Sequence, residues 1–367
     1  MSHAIIYIVA TMLLVPAAVN AATIIVDQGG GGDYPTIQAA LDAAVDTDRI
    51  QVNGGTYVGS SNRNLTFAGK DLRLEGMGGP EATIIDAQGL DRCVRLTNSE
   101  PTSCVIEGFT FRNGSADDGA GMYLINAGPT IRNCIFRNNV AGSEGGGIYA
   151  SGGNGLIEDC RFENNSAEYG GGAYCYGSAA PDFDGCTFES NQASYSGGGV
   201  AISYYCQNEV SYCVFFANQA DEGGALDFLW DATTTVSYCT ISYNTAASAG
   251  GGIHNFGSNP VIDHTIIAHS SSGEGIWSHP GMNPGFEYCL CAGNDGGNDF
   301  AGTVISSLQV DPEFCGTPSS GLLTLQSDSP CLAAVNPFGE HIGALGQGCQ
   351  TTDARTMSWG RLKAEYR

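Results

Sequence analysis

One pattern returns about every 26 residues between positions 106 and 270: Ile-x-x-Cys-x-Phe-x-x-Asn, a short polar loop, then Gly-Gly-Gly-Ile. Three copies, 131–148, 157–173 and 183–200, show it plainly, and two drifted copies follow. The cysteine stands at Cys134, Cys160, Cys186, Cys213 and Cys239, and Asn139, Asn165, Asn191, Asn218 and Asn244 keep the same steps. A fixed period over five copies is the mark of a repeat architecture and outranks any local helix or strand signal.

The period sets a geometry. About 26 residues at roughly 3.3 Å each make a coil of about 85 Å contour, and coils stacked at about 4.8 Å form a parallel β-helix. Equivalent residues then lie above one another. The cysteines form an inward column, and Phe136, Phe162 and Phe188 an aromatic one. The asparagines form an amide ladder at a turn, and the glycine clusters make a bend that needs positive φ. The leucine-rich solenoid of similar period is excluded, because its Leu-x-x-Leu-x-Leu pattern is absent.

Net charge is −24, from 14 Lys and Arg against 38 Asp and Glu, with no Lys or Arg between Arg161 and Arg355. Nucleic acid is excluded as a partner, because phosphate neutralisation needs cations. Residues 1–21 carry an apolar core and a small-residue site at Val19-Asn20-Ala21, as a secretory signal does. The expected product is secreted, extracellular or at the cell surface. Fourteen cysteines then need two explanations. Those of the ladder are inert buried thiols. Off the ladder, some should pair in an exported chain, Cys331 with Cys349 and Cys93 with Cys104.

Residues 33–45 have helical period, with Asp33 as the cap, Pro35 in the first turn and Ile37, Leu41, Ala44 and Val45 on one face. A short helix there would cover the open N-terminal end of the core. The run 33–41, then Gly55-Thr56-Tyr57, Leu74-Glu75-Gly76 and Thr83-Ile84-Ile85-Asp86, resembles the opening of pectin-lyase-like right-handed β-helix proteins of secreted bacterial type. The Phe-x-x-Asn and Gly-Gly-Ala/Gly-Ile/Leu pairs resemble the repeats of polymorphic outer membrane proteins. Those proteins continue into a membrane barrel, whereas 17 residues follow Gln350 here, so no autotransporter is expected. The resemblance implies an all-β, right-handed parallel β-helix over 22–310, a C-terminal cap over 311–350 and a short basic tail over 351–367. Such a fold hosts lyases, esterases, hydrolases and adhesins alike, so function rests on the site.

The strand after each glycine cluster alternates sharply. Its first outward column reads Tyr123, Tyr149, Tyr174, Ala201, Asp227, His254 and Trp277, and its second includes Tyr176, Phe256 and His279. An exposed face of this composition stacks sugar rings and binds their hydroxyls. The expected glycan-binding residues are Tyr149, Tyr174, Tyr176, Asp227, His254 and Trp277. No catalytic set is expected: β-elimination of the pectate-lyase kind needs a basic Arg or Lys, and paired carboxylates on adjacent coils, which hydrolysis needs, are missing. Asp227 with His254 is the best acid–base pair. No cofactor or metal is expected. Asp295-Gly296-Gly297-Asn298-Asp299 is an oxygen-rich loop that Ca²⁺ suits, although an acidic turn is the better explanation. The sequence therefore reads as a secreted monomer that binds a polysaccharide or cell-surface glycan without cleaving it. A polysaccharide-degrading enzyme with a diverged site is the alternative.

Overall fold

The computed structural model describes residues 21–178, 180–298, 300, 302–315 and 323–348. Residues 1–20 of the candidate signal, Cys349 and the basic tail lie outside them. The described chain is an all-parallel solenoid of about ten turns. One coil shows the plan: Thr130–Arg132, Ile135–Arg137, Val140–Glu144 and Ile148–Ser151 are four strands joined by tight corners. They belong in turn to a first sheet of twelve strands, a second of ten, a third of six and a fourth of eight. Register places each residue against its repeat equivalent, as in Ile131 with Ile157 and Phe136 with Phe162.

Alternation sends every second side chain inward. Phe111, Phe136, Phe162, Phe188 and Phe215 are fully buried, with successive ring centroids 5.2, 4.8, 4.5 and 4.8 Å apart. The five repeat cysteines are buried free thiols, as expected. Each sulfur sits against the carbonyl two residues earlier, for example Cys160 on Glu158 at 3.3 Å. The asparagine ladder forms too. Asn139, Asn165, Asn191 and Asn218 each donate from Nδ2 to Oδ1 of the next asparagine at 2.9–3.0 Å.

The glycine clusters serve two ends. Gly145, Gly170, Gly197, Gly223 and Gly250 adopt φ of 64–67° at the corner between the third and fourth sheets. The glycines after them are crowded instead. A Cβ on Gly172 would lie 2.5 Å from the Gly199 carbonyl and 2.8 Å from the Phe188 ring.

Three expectations need correction. The N-terminal helix spans Ile37–Ala43 and buries Ile37, Ala40 and Leu41 in the core, but its N-cap is Thr36. Asp33 instead accepts the amide of Ile25 at 2.8 Å, and Val45 is exposed. Cys93, Cys104 and Cys331 are free and buried, so neither proposed disulfide is present; Cys315 is disulfide-bonded. Cys93 faces the core carbonyls of Ile85 and Arg112. Burial raises the Cys93 and Cys104 thiols well above their ordinary range. The segment expected as a cap lies along the side of the solenoid. Phe314, Leu323, Leu325, Cys331 and Ile342 pack on the outward residues Val214, Ile266, Ala268, Leu290 and Ala292 of the second sheet. Gly343 N donates to the His264 carbonyl at 2.7 Å.

Candidate functional site

Outward side chains of the third sheet meet the first outward column of the fourth. Tyr169 packs edge-on against Tyr174, and Ser196 Oγ donates to Asp227 Oδ2. Glu222 Oε2 lies 3.9 Å from His254 Nδ1. The column itself is in register as the alternation predicts: Tyr123, Tyr149, Tyr174, Ala201, Asp227, His254, Trp277.

Its exposure is not as expected. Tyr174 is 4% exposed, Asp227 0% and His254 2%. Tyr149 and Trp277 are half-buried, and of the six expected residues Tyr176 alone is exposed, at 38%. The third sheet covers this column, which strand alternation cannot reveal. The lower rungs are a packed tyrosine stack, with Tyr123–Tyr149 centroids 5.1 Å and Tyr149–Tyr174 5.9 Å apart. Burial, then the charge of Glu144, pushes the Tyr149 hydroxyl up to about 12.

Two coils further on, charge replaces aromatics. Asp227 Oδ1 lies 2.8 Å from His254 Nδ1, and the Trp277 ring stacks on the imidazole at 4.7 Å. Burial opposes a charged His254, but the bond to Asp227 and the fields of Asp227, Glu222 and Glu274 outweigh it and raise its pKa. Burial, reinforced by Asp227 and Asp221, raises that of Glu222. So the acid–base pair singled out from sequence does form, with Glu222 and Ser196 as additional partners.

The exposed aromatic surface lies one corner later, where the chain leaves the fourth sheet. Tyr176, Tyr204, Trp230, Phe256 and His279 run along the solenoid with successive centroids 4.9, 6.1, 5.2 and 5.0 Å apart. Tyr205 flanks them and is the most exposed. Sequence reading missed Tyr204, Tyr205 and Trp230 because they follow the strand, in what reads as loop. A signal was available: Tyr204 and Trp230 share a column with Gly152, Gly177 and Gly257, all at positive φ. Tyr204 and Trp230 both hold φ 54° there, a backbone costly for bulky residues. Aromatics where glycine fits best, pointing to solvent, suggest a role outside folding.

His264 and His269 lie outside this column. His264 is buried, bonded to Asp263 and stacked on Tyr238, and His269 stacks on Tyr243. In the candidate Ca²⁺ loop, Asn298 Oδ1 is already bonded by Asn294 at 2.8 and 2.9 Å, and Asp299 lies outside the described residues.

Residues 92–259 match the family described as right handed beta helix region. Among solved structures, a pectate lyase superposes with a TM-score of 0.51 at 12% identity, over 90% of this chain and 98% of that one. Pectin methylesterase from carrot superposes with a TM-score of 0.42 at 14% identity, over 65% and 81%. No curated protein sequence matches. At 12% identity the likeness to the pectate lyase is one of fold. The chain has the right-handed parallel β-helix fold of the pectin-lyase-like proteins.

Proposed function

We propose that this is an exported, non-catalytic glycan-binding protein, and that its binding surface is the aromatic corner of Tyr176, Tyr204, Tyr205, Trp230, Phe256 and His279. The ring spacing carries the reading. Rings recur at 4.9–6.1 Å along the axis, exposed at Tyr176, Tyr204, Trp230 and His279 and half-buried at Phe256, close to the length of one sugar unit, so a glycan chain laid along the axis meets a ring at each coil. The surrounding surface is acidic, which favours a neutral glycan over an anionic one. Tyr176 is retained from the sequence-based set. Tyr174, Asp227 and His254 are too buried to touch a polymer, and Tyr149 and Trp277 are half-buried against the third sheet.

The alternative, a polysaccharide-degrading enzyme, has the Asp227–His254–Glu222 cluster in its favour. Against it, Asp227 is sealed between Ser196 and His254, and no Lys or Arg occurs in residues 162–354 to serve as a lyase base. Screening the purified protein on a glycan array, with reducing-sugar and unsaturated-product assays on every hit, separates the two. Binding without product that is lost in Trp230→Ala supports the proposal; turnover that depends on Asp227 overturns it.

A further inference from the structure

We propose that Glu222, Asp227 and His254 form a binding site for one divalent transition-metal ion, with the coordination chemistry of zinc. Their ligand atoms all lie within 4.8 Å of one another. His254 Nδ1 is 2.8 Å from Asp227 Oδ1 and 3.9 Å from Glu222 Oε2. A tetrahedral ion with bonds of about 2.0–2.1 Å holds its ligands about 3.3 Å apart, a value these two distances bracket. Small side-chain shifts therefore close three protein ligands around an ion, and the ion takes the place of the proton between His254 and Asp227.

Three further features fit. The outer support that metal ligands need is present: Ser196 Oγ bonds the distal Asp227 oxygen, and Trp277 stacks on the imidazole. Asp227 and His254 are almost fully buried while the Glu222 side chain is 26% exposed, so the cluster is held from within and open on one side, where a water can complete the shell. The repeat also breaks its own rule here. The same column carries stacked tyrosines at Tyr123, Tyr149 and Tyr174, and a buried carboxylate with a histidine gives up that packing. Rule-breaking of this kind is concentrated at functional positions.

Charge argues likewise. Every arginine–carboxylate pair among the described residues falls between Arg49 and Glu163. The later half has no arginine or lysine up to Arg355, so the buried Asp227, with Glu222 and Glu274 near, has His254 as its cationic partner. Burying carboxylates without full compensation is costly, and a divalent ion supplies it. A ring nitrogen in the set selects zinc or cobalt over calcium, which prefers oxygen alone.

This inference does not rest on glycan binding and is tested without sugar. The chelator-stripped full-length protein is titrated with Co²⁺, read by visible absorption, and then with Zn²⁺. One equivalent of Co²⁺ should give the bands of tetrahedral nitrogen–oxygen ligation, Zn²⁺ should displace it, and excess Ca²⁺ should not. Glu222→Gln, at a partly exposed position, should weaken binding roughly tenfold or more, because it removes one anionic ligand. Glu209→Gln, an exposed carboxylate outside the cluster, should leave it unchanged. Absence of stoichiometric binding, thiolate charge-transfer bands that assign the metal to cysteines, or wild-type affinity in Glu222→Gln would each overturn the proposal.

Discussion

Asn165 shows how one side chain ties three coils together. Its Nδ2 donates to the Phe136 carbonyl and to Asn191 Oδ1, each at 2.9 Å, while its own Oδ1 accepts from the backbone and amide nitrogens of Asn139. Asn165→Ala strips partners from buried groups, so it should cost about 1–3 kcal/mol in chemical denaturation; an unchanged midpoint would contradict the ladder. This residue was legible from sequence because it repeats. Trp230 was not, because it replaces a glycine at a corner where strand alternation has ended. Its left-handed backbone costs roughly 1–3 kcal/mol, and its stacked pair with Tyr204 and edge-on pair with Phe256 return about 0.5–1.5 kcal/mol each. Trp230→Gly should therefore leave stability within about 1 kcal/mol of wild type while removing glycan binding. A large loss of stability would make the ring structural.

At the scale of strands and corners, close stacking and ion pairing hold different parts of the solenoid. The third glycine is pressed against the next coil at Gly147, Gly172, Gly199 and Gly252, whereas Ala225 fills the same rung in the fourth copy, so Gly172→Ala should destabilise by about 1–3 kcal/mol through overpacking, measured by denaturant titration. The earlier coils carry an ion-pair ladder on the first sheet, in which Glu75 bridges Arg49 and Arg73 at 2.8 and 3.1 Å. Burial opposes the charge on Glu75, but bonds from Arg49, Gln51 and Arg73 outweigh it and lower its pKa. A carboxylate depressed in the folded state stabilises above its unfolded pKa of about 4.3 and loses that contribution as pH falls through the folded value. Stability should thus fall on acidification below about pH 4, and Glu75→Gln should flatten that fall. An identical pH profile in the variant would count against it. The strands of these elements were readable from period and alternation. Which outward columns meet solvent was not, because the third sheet folding over Asp227 and His254 depends on the angle of the glycine corner, and the closing segment covering Ile266 and Leu290 depends on contacts distant in sequence.

Over the whole molecule, charge and aromatics are segregated along the axis. Arginine–carboxylate pairs serve the earlier coils; exposed rings and histidine-paired carboxylates occupy the later ones. The corner from Tyr176 to His279 spans five coils, or about 20 Å at the interstrand spacing, which matches four to five sugar units. The most direct test is a fluorescence titration, reading Trp230 quenching, with oligosaccharides of increasing length cut from a glycan that binds on the array. Affinity should rise with each added unit to about four or five and then level off, and Tyr205→Ala should lower it at every length that reaches that ring. Affinity already maximal for a disaccharide, or unchanged in Trp230→Ala when followed by calorimetry, would contradict a glycan laid along the aromatic corner.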